Sequence, residues 1–121
     1  MSTFAIRIRP FVQAELEAAA AAEARGHFHT AFSRLERAHV LGQPLTTDHV
    51  RVHWHMLRFA LRQRLAGEAA GQAWRLVAAA CFTVFGLVPR GNTGGANVNG
   101  FVTMPIPQDL WHAIALAAGR P

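Results

Sequence analysis

The chain has 121 residues, 51% of them apolar, and a formal charge of +5 carried entirely by arginine, with no lysine. That length gives one domain with a real hydrophobic core, and that composition excludes a disordered chain. A lone cysteine, Cys81, excludes an intrachain disulfide and, lying in an apolar run, suits an inert core thiol.

Phe4 to Arg9 alternates apolar and charged residues before Pro10, so residues 1–10 are expected to form an N-terminal arm or short edge strand. A first helix is expected from about Phe11 to Ala24, rich in alanine, with Glu15 and Glu17 early and Gly26 breaking it. A second runs from about Thr30 to Leu41, where Phe28, Phe32, Leu35 and His39 recur at helical spacing. Gly42 reads as a left-handed stop followed by Pro44, and Thr46 or Thr47 as the cap of a third helix. That helix should reach about Leu65, with Gly67 ending it. A fourth is expected from about Glu68 to Phe85. Its apolar run, Leu76 to Val88, is short of the roughly 20 residues a membrane span needs. No signal-like segment opens the chain, so the expectation is no membrane span and a cytoplasmic bacterial protein.

Residues 89–106 read as an ordered loop segment rich in glycine and asparagine, and Pro107 opens a last helix to about Ala118. The expected fold is all-α: one domain over 1–121, a compact bundle of four to five helices. Its N-terminal hairpin resembles a helical repeat, but no second copy follows.

The histidines carry the functional argument. A short link between helices two and three makes them antiparallel neighbours, so His39 and His49 should meet near the turn. Glu36 precedes His39 by three residues and His53 follows His49 by four, which keeps each pair on one helix face. Glu36, His39, His49 and His53 are therefore candidate ligands for a divalent metal: zinc, iron, manganese or copper. Haem ligation is a lesser alternative. A purely structural cluster, with the imidazoles bonded to backbone carbonyls, is the plain one. An open metal position could activate water, but no substrate pocket or nucleophile–base pair is legible, so catalysis is left unassigned.

Two other features support a different class, a non-catalytic interaction module. Arg51, His55, Arg58 and Arg62 form a basic stripe on helix three that could follow phosphates, although no groove-reading motif accompanies it. The Gly91–Gly100 loop could present backbone amides to an anion, but it lacks the Lys-Ser or Lys-Thr ending of a P-loop. Flanked by apolar segments, it is better suited to covering a site near the hairpin, with Asn92 and Asn97 bonded to backbone groups. No specific partner is legible, nucleic acid is not favoured, and a homodimer is compatible with the sequence.

Several stretches together carry a resemblance. They are Leu35-Glu36-Arg37-Ala38-His39-Val40-Leu41-Gly42-Gln43, then His49 and His53 with Met56-Leu57, then Val88-Pro89-Arg90-Gly91-Asn92-Thr93-Gly94-Gly95-Ala96-Asn97-Val98, then Met104-Pro105-Ile106-Pro107. The chain resembles, over about residues 14 to 112, a bacterial family known as domain of unknown function 3703. The resemblance implies a family but no activity and no catalytic residues.

Overall fold

The computed structural model describes residues 1–82, 90–96 and 102–120. Among these, five helices follow one another: α1 (Thr3–Ala24), α2 (Phe28–Gly42), α3 (Thr46–Arg62), α4 (Ala66–Phe82) and α5 (Gln108–Ala117). α1 packs along α2, α3 along α4, and α2 joins the two pairs, while α5 lies mainly on α1. No described helix is long and apolar enough to cross a membrane.

The expected N-terminal arm is instead the start of α1, which begins at Thr3 and contains Pro10. The alternation of Phe4, Ile6 and Ile8 is overridden by a longer helical period. Ala5, Ile8, Val12, Leu16, Ala19 and Ala22 are all buried on one face, whereas Ile6 is 60% exposed. Ser2 caps the helix by accepting a hydrogen bond from the Ala5 amide at 3.2 Å. Pro10 is exposed and lacks a donor, so α1 forgoes one backbone bond there while its buried face runs on past it.

Small residues bring α1 and α2 together: Ala19, Ala22, Ala31 and Ala38 are buried between them with Leu16 and Leu35. Their connection turns at Gly26, φ +76°, and His27 donates back to the Ala22 carbonyl at 2.9 Å. That is the bond pattern of a left-handed helix stop. The same device ends α3 earlier than expected, at Arg62. There Arg64 takes the positive φ, and the Leu65 amide bonds to the Ala60 carbonyl at 2.8 Å. Gly67 accordingly falls inside α4. The expected end of this helix, at Phe85, lies outside the described residues.

The α2–α3 connection is Gln43-Pro44-Leu45, and the residue before α3 is Leu45 in place of a threonine cap. Gly42 is no left-handed stop but the last residue of α2. Its use is close approach: a Cβ there would lie 3.3 Å from Asp48 Cβ. Asp48 is buried and held by Arg9 at 3.1 Å, which ties the start of α3 to α1. This tight corner aligns the last turn of α2 with the first turns of α3.

Candidate metal centre

His39 stands in the last turn of α2, and His49 and His53 stand one turn apart at the start of α3. All three are buried, at 2%, 6% and 2% exposure. Their Nε2 atoms face one another: 2.9 Å between His39 and His49, 3.1 Å between His39 and His53, and 3.2 Å between His49 and His53. The rings meet edge to face or tilted, with centroids 4.6 to 4.9 Å apart. One ligand atom from each therefore lies within 4.8 Å of the others, the arrangement that could hold a metal ion.

The neighbouring hydrogen bonds fix where the protons are. His39 Nδ1 lies 2.7 Å from the Asn92 carbonyl oxygen, which can only accept, so Nδ1 carries the proton. His53 Nδ1 lies 2.6 Å from Gln72 Oε1. The orientation of that amide is set on its other side. Gln72 Nε2 donates to Glu68 Oε1 at 2.7 Å and to the Gly94 carbonyl at 2.8 Å, both acceptors. His53 is therefore also protonated at Nδ1. In the neutral imidazoles both Nε2 atoms then present bare lone pairs to each other. His49 can donate to one of them, but the His39–His53 contact stays uncompensated.

Protonation does not relieve it easily. Burial drives the His39 pKa well below the ordinary histidine range, and the nearby His53 and His49 add to the effect. His49 is pushed down to about 3, by burial first and by His53 second. His53 falls to about 4, mainly through burial, with the Gln72 bond opposing and the Arg75 charge adding. The three rings are neutral near pH 7, and the Nε2 lone pairs of His39 and His53 converge in a buried site.

Residues 92–94 close the site from above. Asn92 is 1% exposed; its Nδ2 donates to the Val102 carbonyl at 2.7 Å, and its Oδ1 accepts from the Gly94 amide at 2.9 Å. Gly94 has φ +79°, and a Cβ there would come within 2.5 Å of the His39 ring. This backbone lies flat against the imidazole, which only glycine permits. Glu68 extends the clamp by accepting from the Ala96 amide at 3.0 Å. Gly71 makes room for Ala96, since a Cβ on it would lie 2.3 Å from Ala96 Cβ. The loop thus reaches the hairpin, and Asn92 makes the expected side chain–backbone bonds. Asn97 lies outside the described residues.

Glu36 does not join the histidine group. One turn before His39, it is half-buried and lines the clefts on either side of its helix. Burial raises its carboxyl pKa, against the pull of the Thr93 hydroxyl nearby, and the Glu68 charge raises it further. Thr93 Oγ1 itself is buried and makes no hydrogen bond of ordinary geometry among the described residues. His27, His29 and His112 are exposed, and Cys81, expected in the core, is exposed as well.

The basic stripe is engaged within the fold. Arg62 forms a bidentate pair with Glu23 of α1, both bonds at 2.8 Å, and Gln63 joins it at 2.9 Å. Arg51 donates to Gln13 of α1 and lies 3.8 Å from Asp48. Two of the three arginines of the stripe thus bind helices together.

Gln72 and Glu68 went unrecognised in the sequence as parts of this site. The available signal was their own spacing: an acid and an amide four apart on a helix that is otherwise mostly small and apolar.

A family model described as "Protein of unknown function (DUF3703)" matches residues 6–114, which include every residue of the site. No curated protein and no solved structure matches the chain. The chain belongs to that family of unknown function.

Proposed function

We propose that this member of a family of unknown function is a metal-binding protein, with one divalent ion held by Nε2 of His39, His49 and His53. The observation that carries the reading is the proton placement: two Nδ1–H groups are committed to Asn92 and Gln72, so uncompensated lone pairs converge. A cation satisfies both of these, and His49 Nε2 faces the same point as a third nitrogen. Zinc bound by imidazole at about 2.0–2.1 Å separates tetrahedral ligand atoms by about 3.3 Å. The Nε2 atoms, 2.9 to 3.2 Å apart, need move only by tenths of an ångström. Hydrogen bonds from the far ring nitrogen to carbonyl oxygens are what metal-bound histidines use to hold orientation and raise basicity.

Three neutral nitrogen donors suit zinc or copper, and iron or manganese less well, since these take more oxygen ligands. Three protein ligands also leave a coordination position for water or another molecule. Glu36, expected as a fourth ligand, is better placed as a carboxylate beside the centre than within it. A purely structural cluster is disfavoured by the His39–His53 contact, which neutral rings with both Nδ1 protons committed to Asn92 and Gln72 cannot turn into a hydrogen bond.

The test is metal analysis of protein purified without a nickel column, followed by reconstitution of the chelated protein. The expected result is stoichiometric zinc or copper in the wild type and almost none in His39→Ala or His53→Ala. Negligible binding of zinc, copper, iron and manganese by folded wild-type protein overturns the reading.

A further inference from the structure

The start of α1, the end of α2 and α5 leave a cavity of about 560 Å³ that no histidine lines. Phe4, Val40, Ile106, Ile114 and Trp111 supply apolar walls. Phe4, Ile106 and Ile114 are only partly buried although they pack against the main core, so the cavity opens from that core to the surface. The volume is in the range of small-molecule sites.

Two arginines line this apolar space, Arg90 and Arg120, and no acidic side chain does. Five other arginines reach an acidic side chain: Arg9 and Arg51 with Asp48, Arg34 and Arg37 with Glu15, Arg62 with Glu23. Arg90 and Arg120 have no acidic partner within ion-pair distance among the described residues. The Arg90 guanidinium is held over the Trp111 ring, 5.8 Å from its centroid, which presents the planar fork at the rim. By contrast, the neighbouring cleft that contains Arg34 and Arg37 also contains Asp109, which Arg37 binds.

We infer that this cavity binds a small amphipathic oxyanion, with its apolar body between Phe4, Ile106 and Ile114 and its headgroup at Arg90 and Arg120. Arginine's fork pairs with a carboxylate or phosphate in two parallel hydrogen bonds, and a short alkyl chain gains by leaving water. Neither contribution involves the histidines, so this inference stands or falls apart from the metal reading.

The experiment uses the full chain carrying Trp54→Phe and Trp74→Phe, both at exposed positions, so that Trp111 alone reports. Decanoate and decyl phosphate, below their micelle concentrations, are titrated against Trp111 fluorescence, with decanol and decyltrimethylammonium as neutral and cationic controls. Saturable binding of an anion, about tenfold or more tighter than decanol, is expected. The tighter of the two anions identifies the headgroup. Arg90→Gln and Arg120→Gln should each weaken anion binding about five- to tenfold while leaving decanol unchanged. Ala115→Phe, which fills the cavity, should abolish both, with unchanged helical circular dichroism as the check on folding. The inference is overturned if decanol binds as tightly as the anions, if both arginine variants bind them normally, or if only phosphatidylglycerol vesicles bind.

Discussion

The two halves of this bundle are built on different terms. Where α1 meets the first half of α2, the interior is alanine, leucine, isoleucine and valine. Its one buried carboxylate, Glu15, is matched by Arg34 and Arg37 at 3.2 and 3.0 Å. Where the end of α2 meets α3, α4 and residues 92–94, the interior holds His39, His49, His53, Gln72 and Asn92 beside apolar Leu41, Val52 and Met56. α4 buries only Gln72 and Ala79 among its described side chains. The first half is specified by volume and period, and many apolar residues of similar size would serve. The second is specified atom by atom, because each buried donor or acceptor needs its own partner. One apolar core runs through both, and the polar chemistry is concentrated in the second.

The sharpest way to break that comparison is to cut each half once. Leu35→Ala, in the apolar half, should cost about 2–5 kcal/mol of stability in denaturant unfolding. The folded variant should still bind a stoichiometric ion. His39→Ala should lose the ion, while its metal-free form keeps most of the stability of the metal-free wild type. If Leu35→Ala abolishes metal binding in the folded protein, the halves are not separable.

Two glycines make a closer comparison, since both take a positive φ. Gly26 has φ +76° and open space where a Cβ would point. Gly94 has φ +79°, and the His39 ring occupies that space. Gly26→Ala should cost about 1 kcal/mol, the strain of the backbone alone. Gly94→Ala should cost about 2–4 kcal/mol, because ring overlap adds to the same strain. It should also weaken metal binding by displacing His39. Equal costs for the two alanines would mean that residues 92–94 do not clamp the ring.

Acid should act on the polar half first. An unfolded histidine takes up a proton near pH 6.5, whereas His49 and His53 in the fold resist protonation down to about 3 and about 4. The unfolded state therefore binds more protons throughout that interval, and stability of the metal-free protein falls as pH drops below about 6.5. By pH 5 the loss is on the order of 2 kcal/mol for each of these two histidines. Unfolding midpoints measured from pH 7 to pH 5 should show it, and His49→Phe should flatten the slope. A pH-independent midpoint would contradict the neutral, buried triad.

These effects also mark what could be read from the residues alone. The helical spacing of His39, His49 and His53 about a short turn was sufficient to bring three imidazoles to one point, because a helical hairpin fixes register within a turn or so. The spacing also puts Glu36 near the face of His39, yet a step of three residues moves a side chain both down the axis and around it. Glu36 therefore lies beside the cluster, level with Thr93. The start of α1 was hidden because Phe4, Ile6 and Ile8 imitate a strand over six residues. Only the longer run of Ala5, Ile8, Val12 and Leu16 shows the helical period. Gln72 was not legible as a partner of His53, since their contact depends on how α4 sits on α3. Gly94 was legible as a turn residue but not as a ring contact, for the same reason.

The smallest effect belongs to the basic stripe of α3. Arg62 and Glu23 are partly exposed, at 46% and 17% of their side chains, so water and salt screen their pairing. The Arg62 guanidinium lowers the Glu23 carboxyl pKa, which shows attraction but not much stability at this exposure. Arg62→Ala should cost about 0.5–1 kcal/mol, less at high salt, and should leave metal content unchanged. The same variant addresses the interaction reading of the stripe. An arginine already committed to Glu23 would have to give up that pair to reach a phosphate, so Arg62→Ala should not weaken retention on heparin by more than one lost charge would. A much larger loss of retention would mean that Arg62 leaves Glu23 for external anions, and the stripe would then be a binding face and not a strap between α3 and α1.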